Sequence, residues 1–177
     1  NKVWFYTVKP EGITPDEYVP HYQKGVAVWQ KTTNTVEAIC KNNKITEDFW
    51  LFNDDFFIMK PVEDMPTYYD RTLWRRIQQI EQKRQGLHSL YSTQLRLTRD
   101  ALQDMGCRTF NYAVHMPMLI NRKKGLELIH RYPNLCMFRS VYGNVYKVGG
   151  EQHEDVKINN LDKKPDADCD FLSTGDL

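Results

Sequence analysis

The stretch that most constrains the fold is FWLFNDDFFIMKP, residues 49–61, in which two adjacent carboxylates interrupt an aromatic run. The unbroken apolar residues 49–52 predict a short buried strand that ends just before Asp54 and Asp55. Open α/β sheets bind ligands at the carboxyl ends of their strands. Two charges among aromatic side chains are costly unless a cation compensates them, and hard oxygen ligands select Mg²⁺ or Mn²⁺. The pattern favours a metal site at Asp54 and Asp55. The alternative is that Asn53, Asp54 and Asp55 form an ordinary turn or a helix cap.

Composition indicates one packed domain without a membrane span. The 177 residues are 41% hydrophobic and 12% aromatic, enough for a core that needs no disulfide or metal. The mean hydropathy of −0.64 and the lack of a long apolar run predict no membrane helix, and we find no signal peptide. The four cysteines form no CxxC pair, which favours free thiols over a zinc site. The chain starts at Asn1 and ends at Leu177, and both ends look trimmed.

Strands alternating with helices along the chain predict an α/β domain. Prolines predict a loop that follows the first strand and extends to about residue 21, and Gly86 breaks the second helix. Residues 137–146 read as mixed strand and turn, and 150–177 as a polar extension with one apolar patch at its end. The other predicted elements are strands over 3–8 and 110–114 and helices over 35–42, 72–85, 92–105 and 122–131, with Gly106 ending the third helix and Asn121 capping the fourth.

Three further positions are candidates for the same site. Asn34 and Glu37 have the spacing of a capping box, and one interpretation is that they only cap the helix. The other is that the start of this helix faces the aspartates and donates hydrogen bonds to a phosphate. His115 follows the strand predicted over 110–114 and would share a sheet edge with Asp55 if the two strands are neighbours. It could bind the metal, act as a general acid or base, or be a hydrogen-bonded histidine at a strand end.

Lys60 and Arg139 are candidate phosphate partners, although a surface role is the commoner one for either residue alone. The chain has no GxxxxGK[ST], GxGxxG, HExxH or GxSxG motif, so the best-known signatures of ATP, dinucleotide, zinc-protease and serine-hydrolase sites are absent.

Charge is unevenly distributed although the net charge is only +1. Residues 71–99 carry seven basic side chains against Glu81, and residues 151–177 carry eight acids against three lysines. Such runs are usually solvated faces, but the basic one leaves open a nucleic-acid partner.

The residues of the aspartate stretch also resemble a known family. Residues 52–57 (FNDDFF), preceded by 34–38 (NTVEA) and followed by 115–117 (HMP), are similar to the Stealth proteins, sugar-phosphate transferases of capsule synthesis, and to short phage-encoded proteins described as glycosyltransferases. The similarity covers residues 30–145. It implies a nucleotide-diphosphosugar transferase fold of the glycosyltransferase-A type, a mixed sheet flanked by helices. Family members begin with a strand that ends in a Trp-Val-Asp-Gly type motif, which this chain lacks, so the sequence is either trimmed or has lost that half.

The resemblance also implies roles for the candidate residues. Asp54 and Asp55 would bind Mn²⁺ or Mg²⁺ and the phosphates of a nucleotide-diphosphosugar donor, and His115 would belong to the active site. The remaining candidates for substrate binding are Asn34, Glu37, Asn53, Lys60 and Arg139.

Three functions follow from the residues and the resemblance together. The first is a metal-dependent transferase that moves a sugar or a sugar 1-phosphate to a glycan or polysaccharide acceptor, in the cytoplasm, or in the host cytoplasm if the chain is phage-encoded. The second is a phage enzyme that glycosylates DNA. The third is a non-catalytic remnant that works as a binding or interaction module.

Overall fold

The computed structural model describes residues 2–7, 11–12, 14–25, 27–83, 85, 89–134, 136–158 and 170–174. Within these ranges the chain is a mixed α/β structure, as predicted, with five helices and nine short strands. The helices are α1 (Val28–Lys41), α2 (Leu73–Lys83), α3 (Leu90–Asp104), α4 (Arg122–Arg131) and α5 (Phe138–Val145). The strands are β1 (Trp4–Thr7), β2 (Glu17–Pro20), β3 (Asp48–Leu51), β4 (Phe56–Ile58), β5 (Tyr68–Tyr69), β6 (Met118–Asn121), β7 (Glu151–Gln152), β8 (Lys157–Ile158) and β9 (Phe171–Thr174).

The described strands form four small sheets. β1 pairs in parallel with β2, β3 pairs antiparallel with β6, β5 pairs in parallel with β7, and β9 lies between β4 and β8. The strand predicted at the aspartates is confirmed as β3, but its partner β6 is antiparallel. The predicted loop up to residue 21 is wrong over Glu17–Pro20, because extended residues such as Tyr18 and Val19 pair with β1 and Pro20 stands only at the strand end.

The polar extension is also more structured than predicted. β9 brings Phe171, which is only 2% exposed, into a small apolar cluster with Val114 and Met116. β9 also pairs with β4 directly after the aspartate turn, so this distant segment contributes to the site. Two predictions concern residues outside the described ranges: the middle of the polar extension, 159–169, and the helix break at Gly86.

Three helices agree with their predictions because their apolar spacing and end signals are strong. Asn121 caps α4, its side-chain oxygen accepting from the Lys124 amide at 3.1 Å. Gly106 ends α3 with φ of +67°, and the amides of Gly106 and Cys107 donate to the carbonyls of Gln103 and Leu102. The central core lies between these helices and the β3–β6 pair, and its fully buried members include Leu73, Ile77, Leu95, Leu102, Ile120 and Val141.

The start of α1 is a correction. The helix begins at Val28 instead of residue 35, and Gln30 Oε1 accepts from the Ala27 amide at 3.1 Å. Asn34 and Glu37 therefore lie within the helix and form no capping box. The Asn34 side chain donates to the Lys24 carbonyl at 2.7 Å, which holds the preceding loop against the helix.

Two predictions near His115 are wrong for a shared reason. Residues 137–146 form helix α5 for most of their length, and residues 111–117 form no strand. The start of the 110–116 segment pairs briefly with residues 70–72, through an antiparallel bridge between Phe110 and Thr72 and backbone hydrogen bonds of Asn111. Beyond that short pairing, side chains on α5 bind much of the segment's backbone. Asn144 bonds both the amide and the carbonyl of Phe110, Ser140 Oγ accepts from the Tyr112 amide, and Arg139 donates to the carbonyls of Val114 and Met116. Since buried backbone groups must be satisfied, these side chains allow an irregular segment to cross the interior.

Of the four cysteines, Cys40, Cys107 and Cys136 are described, and all three are free thiols as predicted. Burial raises the pKa of the Cys40 thiol to about 11. No helix among the described residues is long and apolar enough to cross a bilayer.

Candidate functional site

The two aspartates lie in a tight turn between β3 and β4. The Phe56 amide donates to the Asn53 carbonyl at 3.3 Å, so Asp54 and Asp55 occupy the two middle positions of the turn. The turn that was the alternative to a metal site at these residues is therefore present. It is also one wall of a pocket, so the turn and the site are compatible.

The pocket has a volume of about 400 Å³ and is open to solvent. Its lining is mainly polar and comes from four parts of the chain: the aspartate turn and β4, the segment before β6, β8, and β9. The lining residues are Asn53, Asp54, Asp55, Phe57, His115, Lys157 and Thr174.

Asp54 and Asp55 differ in environment. Asp54 is exposed, and none of the described residues forms a hydrogen bond or ion pair with its carboxylate. Asp55 is half-buried: its Oδ2 accepts from Ser173 Oγ at 2.9 Å and lies 3.5 Å from Lys157 Nζ. Its other oxygen, Oδ1, is buried without a described hydrogen-bond partner. A buried unpaired carboxylate oxygen is costly, so Asp55 is poised to accept a cation or a donor.

His115 reaches the pocket because β3 and β6 are antiparallel. Leu51 at the end of β3 pairs with Met118 at the start of β6, so the residues after β3 and before β6 lie at one edge. His115 and Asp55 therefore share an edge, but through β6, which follows His115, and not through the strand predicted over 110–114. The His115 ring contacts the Phe56 ring edge-on, with centroids 6.0 Å apart.

Asp155 binds His115 through both main chain and side chain. Asp155 Oδ1 accepts from the His115 amide at 3.0 Å, and His115 Nδ1 lies 2.9 Å from both carboxylate oxygens. Burial alone would raise the pKa of Asp155. The hydrogen bonds and charge of His115, together with the charge of Arg76, outweigh burial and lower the pKa of Asp155 below its ordinary value.

Arg139 lies behind the pocket and is not one of its lining residues. In addition to the carbonyls of Val114 and Met116, it donates to the Leu51 carbonyl at 3.3 Å and to Asn53 Oδ1 at 3.1 Å. Burial lowers the pKa of Arg139 to about 10, although nearby carboxylates oppose this shift, so Arg139 stays charged at neutral pH. With four N–H groups engaged by the protein, Arg139 holds the pocket walls in place, and the structure does not place it as a phosphate ligand.

Three further candidates are not among the lining residues of the pocket. Glu37 pairs with Lys41 at 2.6 Å and His130 at 3.4 Å, where α1 packs on α4. Asn34 binds the Lys24 carbonyl, and Lys60 pairs with Asp170 at 2.9 Å. The structure therefore brings together Asn53, Asp54, Asp55 and His115, and leaves Asn34, Glu37, Lys60 and Arg139 outside the lining.

Four residues at or beside the pocket were not predicted from the sequence: Lys157, Thr174, Phe57 and Asp155. Phe57 adjoins the aspartate turn and could have been found from strand alternation. The other three lie in the segment that read as a polar extension, and no local pattern there indicates pairing with residues about 40 to 120 positions earlier.

The pocket offers part of what a divalent ion requires. In the described ranges, no group of three or more His, Cys, Asp or Glu side chains is arranged to hold a metal ion. The two turn aspartates do offer hard oxygen ligands, among them the unpaired Asp55 Oδ1. Mg²⁺ often binds through one or two carboxylates and completes its coordination with substrate phosphates and water. A site of that kind fits Asp54 and Asp55.

Comparison of the chain with protein-family models, curated proteins and solved structures found no match.

Proposed function

We propose that this chain is a transferase that binds a nucleotide-diphosphosugar in the pocket and moves its sugar or sugar 1-phosphate to an acceptor hydroxyl, as on a glycan. One observation carries the proposal. The adjacent Asp54 and Asp55 line the same pocket as His115, which is distant from them in sequence, and both aspartates keep carboxylate oxygens without described partners. We also propose a glycosyltransferase-A type of fold, which the α/β architecture and the position of the aspartates after β3 support.

Asp54 and Asp55 would hold Mg²⁺ or Mn²⁺. When bound, the cation would neutralise charge on the donor diphosphate. Lys157 is a second source of positive charge, because its ammonium group lines the pocket 3.5 Å from Asp55. Lysine is a common phosphate partner in proteins, so Lys157 takes the role that the sequence analysis gave to Lys60 and Arg139.

His115 is the general base of the proposal. Its Nε2 takes the proton of the acceptor hydroxyl as the hydroxyl oxygen attacks. In glycosyl transfer the oxygen bonds the anomeric carbon, the bond from that carbon to the diphosphate breaks, and a nucleoside diphosphate leaves with the electron pair. In sugar-phosphate transfer the oxygen bonds the phosphorus next to the sugar, the P–O bond bridging the two phosphates breaks, and a nucleoside monophosphate leaves. The proton then passes from His115 to solvent in both cases.

The DNA acceptor finds less support. Within the basic stretch, Arg71 and Arg76 lie 2.7 and 4.0 Å from Asp70, Arg96 pairs with Glu81, and Arg99 pairs with Asp100 at 2.6 Å. Arginines already paired with acids offer less charge to a phosphate backbone.

The first test is thermal melting against a panel of nucleotide sugars, with and without Mn²⁺. A ligand that binds only the native state raises the melting temperature. We expect a metal-dependent rise with one donor, loss of that rise in Asp54→Asn, and no change in the matched control Asp64→Asn, an exposed aspartate outside the pocket. The nucleotide released in turnover then distinguishes glycosyl transfer (diphosphate) from phosphate transfer (monophosphate).

Two results would overturn the proposal. One is that no nucleotide sugar shifts melting under any metal condition, which would leave a non-catalytic binding or interaction module. The other is an equal shift in Asp54→Asn, Asp55→Asn and the control, which would place the ligand elsewhere.

A further inference from the structure

The residue that binds His115 lies outside the lining of the pocket. Asp155 lies in the loop between β7 and β8 and meets His115 through three contacts of 2.9 to 3.0 Å, one to the main chain and two to the ring. Both side chains are largely shielded from solvent, with 15% of Asp155 and 26% of His115 exposed. A carboxylate tied to both the backbone and the ring of one histidine fixes where that ring lies.

The same contacts determine which ring nitrogen carries the proton. An ionised carboxylate only accepts hydrogen bonds, so the nitrogen that faces it must be the donor. His115 Nδ1 is therefore the protonated nitrogen of the neutral ring, and Nε2 keeps its lone pair. No described residue hydrogen-bonds Nε2, while His115 itself lines the pocket. A basic nitrogen is thus left available at the site.

Two cations near Asp155 favour its ionised form. Arg76 and Arg139 are both close enough to interact with the Asp155 charge. Tyr91 interacts with both Arg76 and Asp155, and the buried carboxylate of Asp70 lies 4.0 Å from the same Arg76. The nearby positive charges therefore favour the ionised carboxylate of Asp155, which can only accept hydrogen bonds.

We propose that Asp155 is a positioning residue, which holds His115 in the Nδ1–H tautomer and so presents Nε2 as the base that deprotonates the acceptor hydroxyl. The catalytic part of this inference rests on the proposed function. The tautomer part does not, because it follows from the contacts of the protein alone.

Replacing Asp155 by Asn or by Ala separates positioning from a merely structural role. In Asp155→Asn the amide oxygen remains on the His115 main-chain N–H, which places the amide NH₂ against Nδ1. Oδ1 also lies 2.9 Å from Nδ1, but a protonated Nδ1 would face the amide N–H that replaces Oδ2, and two N–H groups repel each other. The neutral ring therefore favours an Nδ1 that accepts from the amide, so the proton moves to Nε2 and the base is lost. Asp155→Ala removes the contacts but imposes no tautomer. Positioning therefore predicts that Asn lowers kcat more than Ala, although Ala lowers the free energy of unfolding more.

Kinetics and NMR together test the inference. We expect Asp155→Asn to lower kcat roughly 10²-fold or more, the range of general-base catalysis, with donor KM and the ligand-induced melting shift unchanged. ¹⁵N NMR of the histidine side chains at about pH 8.5, where an ordinary imidazole is neutral, should show His115 protonated at Nδ1 in the wild type and at Nε2 in Asp155→Asn. His115→Gln assigns the signal.

A wild-type His115 that carries its proton on Nε2 would overturn the inference even if the enzyme transfers sugar. A smaller kcat loss for Asn than for Ala would reduce Asp155 to a structural contact. If no donor binds but the tautomer is as expected, the proposed function fails and the positioning of His115 stands.

Discussion

The guanidinium of Arg139 lies 3.1 Å from Oδ1 of Asn53, the first residue of the turn that carries both pocket aspartates. The same guanidinium binds the backbone on either side of His115, at Val114 and Met116. It also lies over the Phe56 ring, 5.0 Å from the centroid. One side chain from α5 therefore links the aspartate turn to the histidine segment, and its position sets the geometry of the pocket.

Arg139→Lys should lower the free energy of unfolding by about 2–4 kcal/mol, because an ammonium group on a single atom cannot reach the four acceptors that the guanidinium fork reaches. The matched control is Arg75→Lys, at an exposed arginine of α2, which should change stability by no more than about 0.5 kcal/mol. Urea denaturation of the three proteins gives the comparison. Equal stability of the two variants would show that the Arg139 contacts do not hold the pocket walls together.

The close approach of α5 to Tyr112 requires a glycine. A Cβ on Gly143 would lie 2.5 Å from two carbons of the Tyr112 ring, and that ring is held by a hydrogen bond from its hydroxyl to the Gly149 carbonyl. Gly143→Ala should lower the free energy of unfolding by about 1–3 kcal/mol through overpacking, although alanine favours helix. In a Tyr112→Leu background the same substitution should cost little. A cost that is the same in both backgrounds would contradict the steric account.

The thiol of Cys40 should resist alkylation in the native protein. Its pKa of about 11, raised by burial, leaves roughly one thiolate in 10³ at pH 8, and the sulfur is shielded from reagent. Half-buried Cys107 is the internal reference. Iodoacetamide labelling followed by peptide mass spectrometry should show Cys107 modified much faster than Cys40, with the difference abolished in urea. Equal native rates would mean that α1 opens readily from the core.

The parts of the fold that the sequence predicted are those with local signals. Apolar residues at helical spacing indicate α2, α3 and α4, and Gly106 and Asn121 mark two of their ends. The run 49–52 likewise indicates β3, and the polar turn after it was recognised as an alternative. Each of these features depends on residues within one turn or strand of one another.

The parts that failed depend on distant contacts. The α5 sequence FRSVYGNV has two valines, a tyrosine and a glycine, so local propensity favours strand or turn, and the helix forms because most of its residues are buried against the rest of the chain. The 110–116 segment has strand-like residues, but α5 side chains take several of its backbone hydrogen bonds. Of the candidate site, the turn aspartates and His115 were predictable from short motifs. Asp155 and Lys157 were not, since only the paths of β8 and β9 bring them to the pocket.

The His115–Asp155 contact should make stability depend on pH in the acid range. The pKa of Asp155 is lower in the folded protein than its ordinary value of 3.8, because the His115 hydrogen bonds and charge outweigh the opposing effect of burial. A carboxyl with a depressed native pKa stabilises the fold fully above its unfolded pKa, and that stabilisation is lost as pH falls through the native pKa. The wild type should therefore be more stable than Asp155→Asn near pH 5, and its advantage should shrink as pH falls below about 4. Urea denaturation of both proteins from pH 5 to 3 measures this difference, and the other carboxylates contribute to both curves. Parallel curves would show that ionisation of Asp155 does not stabilise the native state. That result would contradict its role as the acceptor that fixes the His115 ring.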